Sequence, residues 1–414
     1  MKILILILVT AAVLHPSGMT LEDCIRTAES NNFDVSISDL SRDVSKYGVR
    51  DARNRFFDIT AGGSYFVNGD DSENYNSSLS ASAGVTGRLS MNHLTAYRSS
   101  VLSERSAGIE YEQALSSLRH SVINSFFQVL IAEERLRLQQ NIAEYSQKKF
   151  EEAELRFSMG NISRSDLLSF DVSRSSDIID LKSAESNLKR ARQSLIYLMN
   201  IQKDPDSLII TFSGYEYDPA EQFDPEIVIG EALGNRNDIA LSEIGIRQRE
   251  FSLRSEYGNY LPSLTGSVTY EYNKFTDFQH DWRSYTTDGI KARMGLSVNL
   301  THSGLNVIDR SKVELKRSRI ALENRKSSVE NEVRLKLLEL ENQKNNYILA
   351  EKHVELAREN LDLAEKLFNL GDRSVSDFMQ ARNSYISAEY RKISSYYNLI
   401  LSRYDLLNSL GRTF

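Results

Sequence analysis

Two stretches decide how this chain is read: Phe157-Ser-Met-Gly160-Asn-Ile-Ser163-Arg-Ser165-Asp166 and Phe368-Asn-Leu-Gly371-Asp-Arg-Ser374-Val-Ser376-Asp377. Five of the ten positions are identical at a constant offset of 211. A match held at one offset marks an internal repeat. Working outward, the register persists: Ala153 matches Ala364, Leu195 matches Leu406, and Leu89 matches Leu300. Further upstream, Ala28-x-x-Asn31-x-x-Asp34-Val35 answers Ala232-x-x-Asn235-x-x-Asp238-Ile239, now at offset 204. A longer loop in the second copy takes up the difference. Each copy reads as a short helix, a strand pair, a long helix, a turn and a second long helix.

The turns follow from local chemistry. Gly160 and Gly371 suit the residue after a helix end, where the backbone turns left-handed and a side chain is disfavoured. Ser163 with Asp166, and Ser374 with Asp377, resemble capping boxes that open the next helix, with Asp in place of the usual Glu or Gln. On the long helices, Tyr347, Ala350, Val354, Ala357, Leu361, Ala364 and Phe368 recur at alternating spacings of three and four. Leu181, Ala184, Leu188, Ala191, Leu195 and Leu198 do the same, so both are coiled-coil seams. A helix from about Leu94 to Phe157 would be roughly 95 Å long at 1.5 Å per residue. A rod of that length needs helical partners, from this chain or from copies of it.

Between the short and long helices the period drops to two. Leu79, Ala81, Ala83, Val85, Gly87, Leu89 and Met91 alternate with Ser80, Ser82, Gly84, Thr86, Arg88 and Ser90, and the partner strand lies around Ile59 to Val67. In the second copy Leu264, Gly266, Val268, Tyr270 and Tyr272 face one way. Its return strand sets Ile290, Ala292, Met294, Leu296, Val298 and Leu300 against Lys291, Arg293, Gly295, Ser297 and Asn299. Strands of about ten residues with one oily face fit a bilayer-spanning sheet, and they also fit a half-buried sheet in a water-soluble domain. Polar linkers are expected at Asn68 to Ser77 and Phe275 to Gly289. Tyr65, Tyr272, Trp282 and Tyr285 stand near strand ends, where aromatics often mark the lipid–water boundary. Four strands cannot close a barrel alone, and an open edge in lipid leaves backbone groups unsatisfied. Three copies would supply twelve strands and twelve rods. Two would give eight strands and a bore that side chains largely fill.

Lys2 and the apolar run Ile3 to Leu14 read as a secretory signal peptide, too short for a spanning helix. The expected division is a signal at 1–18, a first repeat at 19–207, an equatorial linker at 208–223 and a second repeat at 224–414. The β-hairpins fall at about 57–91 and 263–301, and the helical hairpins at about 94–200 and 304–411. Cys24 is the only cysteine, which excludes an internal disulfide and a multi-thiolate metal site. No lipobox precedes it. Five prolines and 26% charged residues fit long helices with solvated faces, and a net charge of -7 offers nucleic acid no basic surface. The six histidines are scattered without a His-x-x-x-His pair. Neither a Walker loop nor a dinucleotide turn is present. No cofactor or metal is expected, and no enzyme.

Several segments together resemble the TolC-like outer-membrane efflux protein family. They are Thr20-Leu21-Glu22-Asp23-Cys24-Ile25, the Ala28 and Ala232 segments, Leu261-Pro262-Ser263-Leu264, and both Gly-x-x-Ser-x-x-Asp turns. The chain departs from the family pattern where Phe33 and Asn237 replace a frequent proline. The resemblance implies a mainly α fold with a transmembrane β part, assembled as a trimeric α/β barrel. It implies the exit duct of a tripartite efflux pump or type I secretion system, in the outer membrane of a double-membraned bacterium with a long periplasmic extension. A periplasmic adaptor would link it to an inner-membrane pump or ABC exporter. By the same resemblance, Met159, Gly160, Asn161, Leu370, Gly371 and Asp372 meet the adaptor. Asp166, Phe368, Arg373, Asp377 and Gln380 fall at the constriction that gates the pore. Asp166 and Asp377 equally suit simple helix capping, and Arg373 an ordinary solvated position. The competing reading is a periplasmic coiled-coil scaffold without a pore.

Overall fold

A computed structural model of the chain describes residues 18–70, 74–212, 223–277, 283–298 and 304–412. The proposed signal, Trp282, Leu300 and most of the expected linker lie outside these residues. The element order is α1 (Leu21–Asn31), α2 (Phe33–Asn54), β1 (Phe57–Asp70), β2 (Asn74–Leu89), α3 (Met91–Ser158), α4 (Arg164–Met199), α5 (Pro225–Asn235), α6 (Asn237–Gly258), β3 (Ser263–Asp277), β4 (Arg283–Ser297), α7 (Gly304–Leu370) and α8 (Val375–Ser409). Pairs of helices thus precede each strand pair, where one short helix is expected. The breaks fall at Asn32 and Arg236, both in extended backbone. Asn32 closes α1 through its N–H to the Ala28 carbonyl, and its side-chain oxygen accepts from the Asp34 N–H at 2.9 Å. Phe33 and Asn237 are the first residues of their helices, positions whose N–H lacks a helical partner and which therefore tolerate proline.

The chain divides into two compact units, Met1–Ser36 with Ala114–Asn235 and Val329–Phe414, and Ile37–Gln113 with Arg236–Ser328. The first is helical. Its core includes Val122, Ile123, Phe126 and Phe127 of α3, Leu195 and Met199 of α4, and Ile400 and Leu406 of α8, all nearly or fully buried. Phe126 and Phe127 meet edge to face at 5.9 Å. Cys24 of α1 is buried without a disulfide partner. Met19 forms a parallel bridge with Ile210.

The second unit is built around one antiparallel sheet in the order β1-β2-β3-β4. The two hairpins are joined through β2 and β3, with Val85 opposite Val268 and Leu89 opposite Leu264. Glycine is required at this joint, because a Cβ on Gly84 would stand 2.9 Å from the Val268 carbonyl oxygen. The strands are longer than their oily stretches. Asn68–Asp70, Asn74–Ser77, Phe275–Asp277 and Arg283–Gly289 pair in the ladders instead of forming linkers. Backbone hydrogen bonds continue past the apolar pattern because they do not depend on side-chain polarity. Met91, expected to end β2, instead opens α3.

Candidate functional site

The sheet has two unlike faces. Register places Ile59, Val85, Val268 and Ala292 in one row. Phe57, Ala61, Tyr65, Leu79, Ala83, Leu264, Tyr270, Tyr272, Ile290, Met294 and Leu296 share that face by the period of two. Among the described residues no part of the unit covers it: Ile59 is 84% exposed, Met294 83% and Ile290 75%. The opposite face is polar and internally bonded. Ser64 and Ser80 hydroxyls meet at 2.6 Å, Lys291 pairs with Glu271, and Arg88 lies 3.6 Å from Asp58. Tyr65 and Tyr272 stand at one end of the oily band, where the Tyr270 hydroxyl donates to Asp288 at 3.0 Å. Tyr285 lies on the other face, opposite Phe275. The outer edges of β1 and β4 have no strand partner among the described residues.

The second feature belongs to the helical unit, where both helix turns are built alike. Gly160 and Gly371 have φ of 78° and 85°, the left-handed region. After α3 the Asn161 N–H donates to the Arg156 carbonyl and the Gly160 N–H to Phe157; after α7 Asp372 donates to Leu367 and Gly371 to Phe368. This is the Schellman arrangement, and it satisfies carbonyls that the helix leaves open. Ser163 and Asp166 then form a reciprocal capping box, as do Ser374 and Asp377. The capping role of both aspartates is therefore present within one chain.

Behind the turns, Ala153, Phe170, Val375 and Phe378 are buried together, with Phe150, Ile162, Leu167, Leu361 and Phe368 packed around them. Phe368 stacks on Phe378 at 5.5 Å and lies under the Arg156 guanidinium at 5.4 Å. It packs against the core of the cluster. Arg373, Gln380, Asn161 and Asp372 are exposed, as are Met159 at 59% and Leu370 at 74%. Arg373 makes no ion pair with Asp166 within the chain, and the Asp166 carboxylate accepts from the Ser163 N–H and hydroxyl.

Sequence reasoning passed over a polar layer beside this cluster. Arg382 of α8 pairs with Asp177 of α4, both buried, and also donates to Ser173 at 3.1 Å. Gln139 of α3 donates to the Asp177 backbone carbonyl at 3.1 Å and accepts from the Tyr390 hydroxyl. Burial pushes the Asp177 carboxyl above its ordinary value, against the pull of the Arg382 guanidinium. Lys149 of α3 reaches Glu365 of α7 at 2.8 Å, and Arg156 donates to Asn369 at 2.7 Å. The two hairpins are thus tied together on both sides of the aromatic cluster. A charged residue within a helical heptad reads as solvated unless its partner is known, so nothing in the sequence marked Arg382.

Among the described residues no group of His, Cys, Asp and Glu side chains could hold a metal ion, and no helix is long and apolar enough to cross a membrane. A mainly helical chain with one small antiparallel sheet, greasy on one face, has the architecture of TolC-like channels. A family model described as outer membrane efflux protein matches residues 24–200 and 228–412, so the chain belongs to that family. Its fold is shared with the outer membrane channel CmeC of Campylobacter jejuni, with a TM-score of 0.80 at 15% identity over 94% of this chain and 85% of that one. VceC of Vibrio cholerae gives 0.80 at 14% identity over 95% and 96% of the two chains. The open state of the MtrE channel of Neisseria gonorrhoeae gives 0.77 at 17% identity over 94% and 88%. A search of curated protein sequences finds no match. The chain is homologous to outer-membrane efflux channels, a family of channel proteins rather than enzymes.

Proposed function

We propose that three copies of this chain assemble into an exit duct: a twelve-stranded barrel in the outer membrane of a double-membraned bacterium, continued into the periplasm by the helical hairpins. The observation that carries this reading is the sheet, with its exposed apolar face and two edges that have no strand partner among the described residues. Lipid is the medium in which such a face is stable, and a closed cylinder is the only sheet without edges in lipid. In this reading the helix turns form the periplasmic end. Asp166, Phe368, Arg373, Asp377 and Gln380 lie at the constriction, and Met159, Gly160, Asn161, Leu370, Gly371 and Asp372 offer the exposed surface to a periplasmic adaptor. The adaptor connects the duct to an inner-membrane pump or secretion ATPase, which supplies the energy. The exposed Met159 and Leu370 support that docking role, because apolar side chains at a water-facing turn gain by being covered.

The test is the mass of the complex purified in detergent, taken with its single-channel conductance in planar bilayers. A three-chain mass and a stable, cation-preferring conductance are expected, with the preference reduced in Asp377→Ala. A chain that stays single and soluble in plain buffer would overturn the duct and favour the scaffold. Ion selectivity unchanged by Asp377→Ala would remove that residue from the pore.

A further inference from the structure

Where strand gives way to helix, the second unit holds a cleft of about 170 Å³ between the ends of β2, β3 and β4, the end of α6 and the start of α3. At about 30 Å³ for each water, that is the space of roughly five waters or of one phosphate-sized group. Gly258 brings its walls together. A Cβ there would stand 2.8 Å from the Met91 Cβ, so the end of α6 lies directly against the start of α3. Asn92 spans the contact, donating to Asn259 at 2.6 Å and accepting from the Ser255 hydroxyl at 3.0 Å.

Every polar side chain that lines the cleft can donate a hydrogen bond, and no carboxylate is among the lining residues. Two of them have donors to spare. The Arg88 guanidinium has one ion-pair contact among the described residues, Asp58 at 3.6 Å, which leaves most of its five N–H groups to water. The His93 Nδ1 meets the Ser90 hydroxyl at 2.6 Å, and the Ser90 oxygen accepts from the His93 backbone N–H at 3.3 Å. With the hydroxyl hydrogen given to Nδ1, the neutral ring carries its own hydrogen on Nε2, which has no partner among the described residues. Glu256 accepts from Asn259 at 3.2 Å but lies outside the lining, and the first turn of α3 holds no acid.

The repeat shows that these groups are not a requirement of the fold. At the offset of 211, Arg88 and His93 correspond to Asn299 and Gly304, so the second copy passes from strand to helix without either. We propose that the cleft binds a phosphate-type oxyanion, with the Arg88 guanidinium and the His93 Nε2–H as its principal donors. A guanidinium meets such an anion through two parallel N–H groups, which gives direction as well as charge. Two sources share this chemistry. Arg88 and Thr265 stand opposite each other on the polar face of the sheet, the wetted face of the proposed duct, which offers the cleft to a phosphorylated solute. Leu89 and Leu264 also line it and belong to the greasy face, which offers it to a phospholipid headgroup. The cleft is complete within one chain, so it goes beyond the duct and does not depend on it.

The experiment uses the full chain in an uncharged detergent at physiological salt. Inorganic phosphate is titrated and its affinity read from the phosphorus NMR linewidth. Phosphatidylglycerol is added to a second sample, and the lipid retained per chain is counted by native mass spectrometry. Arg88→Gln removes the charge at an exposed position and should weaken binding at least about tenfold. Arg88→Lys should keep part of it, as a point charge without the fork. Arg293→Gln is the control: Arg293 shares the polar face but lies outside the cleft, so its loss should leave binding nearly unchanged. Arg88-dependent binding of inorganic phosphate assigns the cleft to a solute. Arg88-dependent retention of lipid without phosphate binding assigns it to a headgroup, and either result supports the site. Absence of both, binding indifferent to Arg88→Gln, or an equal loss in Arg293→Gln would overturn it. A single-chain mass with Arg88-dependent binding would overturn the duct and leave the cleft standing.

Discussion

On the four-stranded sheet, Ile59, Ile290 and Met294 are three-quarters exposed or more, whereas behind the helix turns Phe170 and Phe378 are 3% and 1% exposed. The side chains are of one kind, and burying any of them is worth about 1.5–3 kcal/mol. The difference lies in what the chain brings to meet them. Four helices converge on the phenylalanines, each supplying part of the lining. Among the described residues nothing in the sheet's own unit lies over the aliphatic face, although its opposite face is crossed by hydroxyl and ion-pair contacts. The first region has solved its hydrophobic problem inside one chain. The second has left it to its surroundings, which is the physical content of calling it a membrane surface.

Breaking each region should therefore cost stability in a different medium. The largest effect is expected for Phe378→Ala, which empties the centre of the tip cluster and should lower unfolding stability by about 3–5 kcal/mol in a denaturant titration. A loss below about 1 kcal/mol would mean that the cluster does not act as a core. Arg382→Ala should approach the same loss, about 3–5 kcal/mol, because it strands the Asp177 carboxylate in the interior. The paired replacement Asp177→Leu with Arg382→Met should recover most of it, since an apolar pair leaves no buried charge. Failure of the double variant to recover would show that Ser173 and Gln139 depend on the pair.

Met294→Arg sharpens the contrast from the other side. Refolded into lipid vesicles, the variant should lose about 2–4 kcal/mol, the cost of a cation facing the middle of a bilayer. A sheet wetted by water would accept arginine at an 83% exposed position without cost, so an unchanged refolding midpoint would sink the membrane assignment.

The smallest effect concerns Asp238 at the start of α6. Burial pushes its carboxyl up, but hydrogen bonds and charge from Arg236 and Arg325 win and hold it below the usual carboxylate value. A depressed native pKa gives stability that is complete at neutral pH and is lost as pH falls through the depressed value. Thermal melts between neutral pH and pH about 3 should therefore fall less steeply for Asp238→Asn than for the parent chain. Parallel curves would show that the pairs Asp238 makes with Arg236 and Arg325 do not couple to folding.

Local order supplied most of what could be read in advance. Gly160 and Gly371 sit where a left-handed residue is needed, and Ser163, Asp166, Ser374 and Asp377 are in contact with their own neighbours. Such features depend on residues three to five apart, so the linear chain specifies them. The oily alternation of β2, β3 and β4 and the seam through Ala350, Ala357 and Ala364 were legible for the same reason. Phe368 was legible only in part: its position in the repeat put it at the helix turn, but its neighbours, Phe378 and Arg156, come from two other helices. Arg382 was illegible outright, because its partner lies on α4.

By itself, then, the sequence determined the two-fold order of elements, the turns that end the long helices, and which face of each strand is greasy. Only tertiary structure decided that both hairpins share one sheet through β2 and β3, that the ladders outrun their apolar stretches, and that a buried ion pair ties α4 to α8. Periodicity and capping are set by neighbours along the chain. Sheet order and buried pairing are set by residues that meet only after the chain has folded.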